Sequence, residues 1–563
     1  MNIKTTAIHL FILFLFSSLH AYSQQYIYPL NIKLQLSSNF GELRNNHFHS
    51  GIDLKTDGVV NKPVFAIDNG YVSRINVSAG GYGLALYIDH PTGQTSVYGH
   101  LNSFSPKIAA YATQKQYENE NFDIDVYLKP GEIPVKKGEQ VALSGNTGSS
   151  GGPHVHFEIR DTKTQDPIDA LDFYANTIPD NQKPDIRGIA FYPVTGKGVV
   201  NGTNNPIRLT ISKNKAGVPL ALNSTISAWG RIGLGVKAYD KMNGQGNIYG
   251  VKFVRLYKDE ELVFSSAMDR FPFAKTRMLN TFTDFEDWRD RRSFYMKSFI
   301  DPGNTLPVYE TKNNGYIDIN EEREYRMRYE LEDQRGNTLT YSFIIQGKPQ
   351  PVPQKDTCTN YMAWNMHNSF VDYDFLMDIP AGNLYSDFCF SHKRNSSPAF
   401  YSDIHQVNNA PVALDKRGTI WIKLKADSLE NRANYGIVEI GSRGSDWIGG
   451  AYKNGGLEVA IRELGGRYAI DIDTIAPKIT AQTPEKWVSD KRIRVRVTDD
   501  KSGIRSFRGE IDGRYVLFTN DVKSSYYIYD FDDRIARGQN HELVFTATDG
   551  AGNSTEYRYS FTL

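Results

Sequence analysis

The sequence predicts an all-β protein, with an amino-terminal antiparallel β domain followed by β-sandwich modules. Three observations point there. Aromatic residues make up 12% of the chain, with 34 Tyr and 30 Phe. Stretches of helical period are few. Segments such as IRLTISK, GVKFVRLY, RIRVRVT and HELVFTATD alternate or run β-branched and end in Gly, Asn or Asp, the residues that tight turns demand. At 563 residues the chain exceeds a single core and has room for about three or four domains of ~100–200 residues each.

The first element, residues 1–23, reads as a secretory signal peptide. Lys4 precedes an apolar run from Ile8 to Phe16, and small residues at Ala21 and Ser23 form a cleavage pattern. The run is shorter than the ~20 apolar residues a bilayer span needs, and no later segment supplies such a run. The expectation is an exported chain, periplasmic, surface-associated or extracellular, with no transmembrane segment in its mature form. Only Cys358 and Cys389 are present, and in an oxidising compartment either a disulfide or two buried thiols fits the sequence.

The remaining boundaries are marked by proline. IPDNQKPD, GKPQPVPQK and DTIAP divide the chain into 24–180, 185–350, 351–472 and 473–563. The second and fourth of these echo each other. YELEDQRGNTLTYSF resembles FTATDGAGNSTEYRYSF, a strand, a D-x-x-G-N turn and a second strand. Upstream, VKAYD with YGVKFVRLYKDEEL parallels VRVTDD with SGIRSFRGEIDGRY. Gly and Asn tolerate the positive φ of tight hairpins, so the echo predicts equivalent hairpins in two immunoglobulin-like sandwiches. Residues 351–472 read as a further β domain of unassigned role.

Charge excludes one class of partner. Lys and Arg number 64, as do Asp and Glu, for a net charge of +0, so no global field draws in nucleic acid.

Chemistry concentrates in residues 24–180. Half of the 12 histidines, His47, His49, His90, His100, His154 and His156, fall between positions 47 and 156. In NHFHSGIDL, His49 and Asp53 are spaced H-x-x-x-D, with Gly51 arguing for a bend or strand in place of a helix. VYGHL sets His100 at the end of a strand pattern. In GPHVHFEI, His154 and His156 alternate on one face of a strand while Val155 and Phe157 face the other way. Imidazole and carboxylate suit zinc, and three protein ligands with one open position is the arrangement of a catalytic zinc site. His47 would close that position as a fourth ligand, so it is expected to support the site from outside or simply to pack. His90, in DHPTG, reads as a turn histidine.

H-x-x-x-D, Y-x-H-L and G-P-H-x-H-F-E-I, in this order and within little more than a hundred residues, resemble the lysostaphin-type (LytM-like) zinc metallopeptidases, which cut peptide bridges of bacterial peptidoglycan. GELRNNHFHSGIDL, PVFAIDNGYV, GYGLALYIDH, VKKGEQVALSGNTG and DPIDALDF fit the same family, and the match spans about Ser37 to Tyr174. The resemblance implies a duplicated hybrid motif of barrel-sandwich type, one zinc ion held by His49, Asp53 and His156, and a catalytic pair His100 and His154. It does not divide base and oxyanion donor between those two. The implied reaction is hydrolysis of a peptide bond in peptidoglycan stems or cross-bridges, with peptidoglycan as the partner. Residues 103–134 form an insertion relative to that family, expected as a lobe at the rim of the cleft.

Three other readings compete with this one. A lipoyl- or biotinyl-carrier barrel shares the strand layout, but IDNGYV has no lysine to modify. A catalytically inactive relative, acting as scaffold or activator of another wall hydrolase, would be expected to lack ligands, and all five residues are present. Exposed aromatics on the carboxy-terminal modules could hold a cell-envelope protein or glycan, although sandwiches are aromatic-rich for packing anyway.

Overall fold

The computed structural model describes residues 26–174, 178–354 and 357–563. The signal-peptide reading of residues 1–23 therefore lies outside the described residues. The chain is nearly all β, 47% strand and 9% helix. Its buried apolar side chains gather into four large clusters along the sequence.

The amino-terminal domain is built on a nine-stranded sheet. Its main strands are β1 (Leu36–Ser38), β2 (Ile52–Lys55), β3 (Gly70–Val77), β4 (Leu84–Asp89), β5 (Gln94–Leu101), β6 (Ile124–Tyr127) and β7 (His154–Asp161), in spatial order β1-β2-β7-β5-β4-β3-β6. The central neighbours β2, β7 and β5 are antiparallel, and their register sets His156 opposite both Asp53 and Gly99. Val155, Phe157 and Ile159 of β7 are fully buried and hold that register, because a slip of one residue would turn the histidines into the core. Gly51 enters β2 so close to β7 that a Cβ there would lie 2.3 Å from the carbonyl oxygen of Phe157, so only glycine fits the bend between His49 and Asp53.

The insertion contains a helix, α1 (Pro106–Glu118), started by proline in its first turn and burying Ile108, Ala112 and Gln116 along one face. It is not a free lobe. Tyr117 donates to Asp532 at 3.2 Å, the Arg534 guanidinium lies 3.9 Å over the Tyr117 ring, and Arg508 bonds Glu120 at 2.7 Å. The carboxy-terminal module is thus docked on the insertion, residues 103–134.

Beyond residue 185, β8 (Asp185–Val200), β9 (Ile226–Tyr239), β10 (Glu324–Glu332) and β11 (Thr338–Gly347) belong to one continuous ten-stranded sheet. β8 and β9 run 16 and 14 residues, and their pairing carries irregularities at 186–188 and 193–198, so both bend along their length. The next core lies between two five-stranded sheets, and a bond joins Cys358 to Cys389. The last core lies between a three-stranded sheet that includes β12 (Arg492–Thr498) and a four-stranded sheet that includes β13 (Asn540–Asp549) and β14 (Ser554–Thr562). The two D-x-x-G-N turns close antiparallel hairpins, β10 with β11 and β13 with β14. Among the described residues no helix is long and apolar enough to cross a membrane.

Candidate metal centre and catalytic pair

His49, Asp53 and His156 converge on one point. His49 Nε2 lies 3.0 Å from His156 Nδ1 and 3.1 Å from Asp53 Oδ1, and His156 Nδ1 lies 3.0 Å from Asp53 Oδ1. All three side chains are buried. A tetrahedral ion with bonds of ~2.0–2.1 Å has ligand–ligand edges of about 3.3 Å, so these donors need separate by only a few tenths of an ångström to hold zinc.

The tautomers also suit a metal. His49 donates from Nδ1 to the Asn39 carbonyl at 2.8 Å, which leaves the Nε2 lone pair facing inward. His156 donates from Nε2 to Glu158 Oε1 at 2.7 Å, which turns Nδ1 inward. Asp53 offers Oδ1 to the centre while Oδ2 accepts from Arg44 Nη2 at 2.6 Å. Each ligand atom is thus aimed by a partner on its far side, as metal sites require.

Glu158 anchors this arrangement. It is fully buried, and its Oε1 also accepts from Tyr82 OH and Ser50 Oγ, both at 2.6 Å, while Oε2 accepts from Arg160 Nε at 2.5 Å. Burial penalises the carboxylate, but the Arg160 charge and the His156 hydrogen bond outweigh it and hold Glu158 well below the usual range. For His156, burial opposes the imidazolium, yet hydrogen bonds to Asp53 and Glu158 raise it to about 9. Burial lowers His49 to about 4. Asp53 is buried too, and its three imidazole neighbours hold it ionised far below the ordinary range.

His100 and His154 stand beside the three ligands without joining them. Their ring centroids are 4.8 Å apart, and His100 lies 6.0 Å from His156. His100 donates from Nδ1 to the Thr147 carbonyl at 2.8 Å, and His154 from Nδ1 to the Gly152 carbonyl at 2.8 Å, so both present Nε2 to the site. His154 Nε2 is 3.4 Å from Asp53 Oδ1, and its side chain is the more exposed of the five. Burial and the neighbouring imidazoles push His100 down to about 3. Its φ of 57° is unusual for a side-chain-bearing residue, a local strain at the end of β5 that turns the ring inward.

The loop that holds His100 is itself braced from a distance. Gly148 N donates to Asp521 at 3.0 Å, Lys523 Nζ donates to the carbonyls of Asn146, at 2.8 Å, and Gly148, and Val522 N donates to the Ala79 carbonyl at 2.9 Å.

Two of the clustered histidines play no part. His47 is exposed, with Nδ1 against the Asn45 carbonyl at 2.8 Å, and reaches none of the ligands, so neither the supporting nor the packing expectation holds. His90 is buried between the Asn69 carbonyl and Ser96 Oγ, where it ties a turn. Sequence reasoning did not single out Arg44, Tyr82, Glu158 and Arg160. Arg44, Tyr82 and Glu158 lie inside the motifs quoted above, and Arg160 directly follows the last of them.

Comparisons with known proteins place the amino-terminal region among peptidases. Residues 47–117 match the profile of peptidase family M23, a span that holds His49, Asp53 and His100 and stops before His154. Residues 359–473 match that of a Zu5-like domain. An uncharacterised metalloprotease of Haemophilus influenzae is 32% identical over 138 residues, covering 23% of this chain and 24% of that protein. The DD-carboxypeptidase/endopeptidase Mpg of Neisseria meningitidis is 31% identical over 139 residues, covering 24% and 26%. The peptidoglycan DD-endopeptidase ShyB of Vibrio cholerae is 28% identical over 160 residues, covering 26% and 30%. The chain thus spans about a quarter of the length of the curated relatives it matches. Among solved structures, a zinc-containing peptidase from Vibrio cholerae is 27% identical, with 26% of this chain and 38% of that one covered and a TM-score of 0.19. With this profile match and these relatives, the chain carries in its amino-terminal domain a peptidase domain of family M23, of the lysostaphin (LytM-like) type.

Proposed function

We propose that this protein is a zinc-dependent endopeptidase that hydrolyses peptide bonds in the stems or cross-bridges of peptidoglycan outside the cytoplasm. The observation that carries this is the triangle of His49 Nε2, Asp53 Oδ1 and His156 Nδ1, with edges of 3.0–3.1 Å and each donor aimed from behind. The substrate class rests on relatives named as peptidoglycan endopeptidases.

A zinc ion on these donors supplies Lewis acidity toward an amide carbonyl and acidifies water. The chain's own residues do the rest. His154, its side chain 14% exposed and 3.4 Å from the Asp53 carboxylate, is placed to take the proton from water at Nε2 and return it to the departing amine. The Asp53 charge steadies the imidazolium that forms. His100 stays neutral and lies beside His154, where its inward Nε2 accepts a hydrogen bond and orients the attacking water. Arg44 keeps Asp53 turned, and Glu158 keeps His156 in one orientation. A complete set of five residues speaks against the scaffold reading.

The test is mass spectrometry of fragments released from purified peptidoglycan by the full chain, with His49→Ala and a chelated sample in parallel. Cleavage products confined to zinc-loaded wild type are expected. Products that persist with chelator would overturn the zinc assignment, and casein digested as readily as cell wall would overturn the substrate.

A further inference from the structure

The sequence echo between the second and fourth domains ends, in both, on three aspartates. In the first copy Asp180 sits in the linker ahead of Pro184, Asp240 follows β9, and Asp333 heads the D-Q-R-G-N turn after β10. One carboxylate oxygen from each lies within 4.8 Å of the others. In the second copy Asp473 stands ahead of Pro477 at the same spacing, Asp499 follows β12, and Asp549 heads D-G-A-G-N, and their oxygens meet the same limit.

The equivalence reaches single hydrogen bonds. Asn337 Nδ2 donates to the Asp180 carbonyl at 3.3 Å and to Asp333 Oδ2 at 2.8 Å; Asn553 Nδ2 donates to the Asp473 carbonyl at 3.1 Å and to Asp549 Oδ2 at 2.8 Å. The Asp180 side chain accepts from the amide of Asn243, and the Asp473 side chain from the amide of Ser502, each at 3.1 Å and each the third residue after the middle aspartate. Two stretches of chain that share little sequence have kept one acidic geometry.

The first copy holds a sign of a missing partner. Asp240 is 1% exposed, and its Oδ1 accepts no hydrogen bond from any described residue. Burial and the charges of Asp333 and Asp180 push its carboxyl up to about 8. The Arg335 backbone amide donates to Asp333 Oδ1 at 2.7 Å, but its guanidinium, near enough to feel Asp180 and Asp333, forms no ion pair with either among the described residues. A buried carboxylate oxygen without a partner is costly, and a cation seated among the three would satisfy it.

We propose that Asp180, Asp240 and Asp333 form a calcium site at the junction between the peptidase domain and the sheet that follows it. The donors are hard carboxylate oxygens with no imidazole or thiolate among them, which disfavours zinc and suits calcium, whose flexible shell accepts an irregular set of oxygens and completes itself with water. Calcium there clamps the linker, the end of β9 and the hairpin turn together. Among the described residues the cluster at Asp473, Asp499 and Asp549 has no orphaned buried oxygen, so it stands only as the structural echo.

The test is calcium binding by equilibrium dialysis on the full, zinc-loaded chain, comparing wild type with Asp240→Asn and with Asp180→Asn, which lies in the half-buried linker. Wild type is expected to bind one more calcium per chain than either variant, whatever the second cluster holds. In calcium-free buffer Asp240→Asn should melt at or above wild type, since it removes a repelled buried carboxyl. With calcium the order should reverse. Equal calcium stoichiometry in wild type and a folded variant, or no calcium bound by folded wild type at millimolar calcium, would overturn the proposal. Peptidase activity is a separate readout, so failure of the zinc reading would leave this one standing.

Discussion

Replacing Glu158 by Gln probes the buried charge beneath the candidate metal centre. Glu158 accepts from His156, Tyr82 and Ser50 on one oxygen and from Arg160 on the other. Glutamine keeps the shape but offers one accepting oxygen and an NH2 group, so one of the two sets of donors must face another donor. If the amide oxygen stays with His156, the Arg160 guanidinium is left buried without its counter-charge. Breaking a buried pair from one side costs about 3–5 kcal/mol. Loss of the partner that orients a ligand imidazole lowers metal affinity by about 10–100-fold. The assay is urea unfolding of chelated and zinc-loaded protein, together with zinc titration against a chromophoric chelator. Glu158→Gln should lose stability in both forms and lose zinc affinity. The double variant with Arg160→Met should regain most of the stability and none of the zinc affinity. A single variant with wild-type zinc affinity and less than about 1 kcal/mol lost would refute the reasoning, because a carboxylate that oriented His156 and neutralised Arg160 could not be removed so cheaply.

Other outcomes follow from the same geometry. In the metal-free protein His156 is raised to about 9 from an ordinary 6.5, so its share of stability is full below pH 6.5 and is lost as pH rises through 9; zinc must displace that proton. Calorimetry near pH 7.5 in buffers of different ionisation enthalpy should report about one proton released per zinc bound, and none released would contradict the protonated His156. His100→Ala and His154→Ala should each bind zinc normally while lowering kcat by about 10²–10⁴-fold; zinc loss in either would mean that the residue is a ligand. Lys523→Ala frees the 146–148 loop and should lower kcat with zinc affinity unchanged, a result that wild-type kcat would exclude. Reducing Cys358–Cys389, separated by 31 residues, should destabilise the 359–473 domain by about 3–4 kcal/mol in urea and leave peptidase activity intact.

Much of the candidate site was legible because its key residues announce themselves locally. His154 and His156 lie two apart on a strand, and His49 and Asp53 flank a glycine that forces a bend, so type and spacing together suggested a metal before any contact was known. The hairpins at the D-x-x-G-N turns were legible for a like reason, since turn chemistry acts over a few residues. Glu158 was harder to read. It sits in the quoted motif, yet its role depends on Tyr82 and Ser50, 76 and 108 residues away, which only sheet register brings to it. The insertion failed in the other direction: its sequence marked a departure, but its destination is a surface some four hundred residues downstream, at Asp532.

The sequence by itself determined the β class and the recurrence of one hairpin turn, because periodicity and turn residues are short-range properties, and its resemblance to a known family implied the five candidate site residues. Only the tertiary structure decided that His156 faces Asp53 across adjacent strands, that His47 is left outside, that Cys358 and Cys389 are joined, and that three aspartates meet at Asp240. Each of these depends on burial and on register between strands distant in sequence, where hydrophobic packing over the whole sheet, and not the local chain, sets which atoms come within reach.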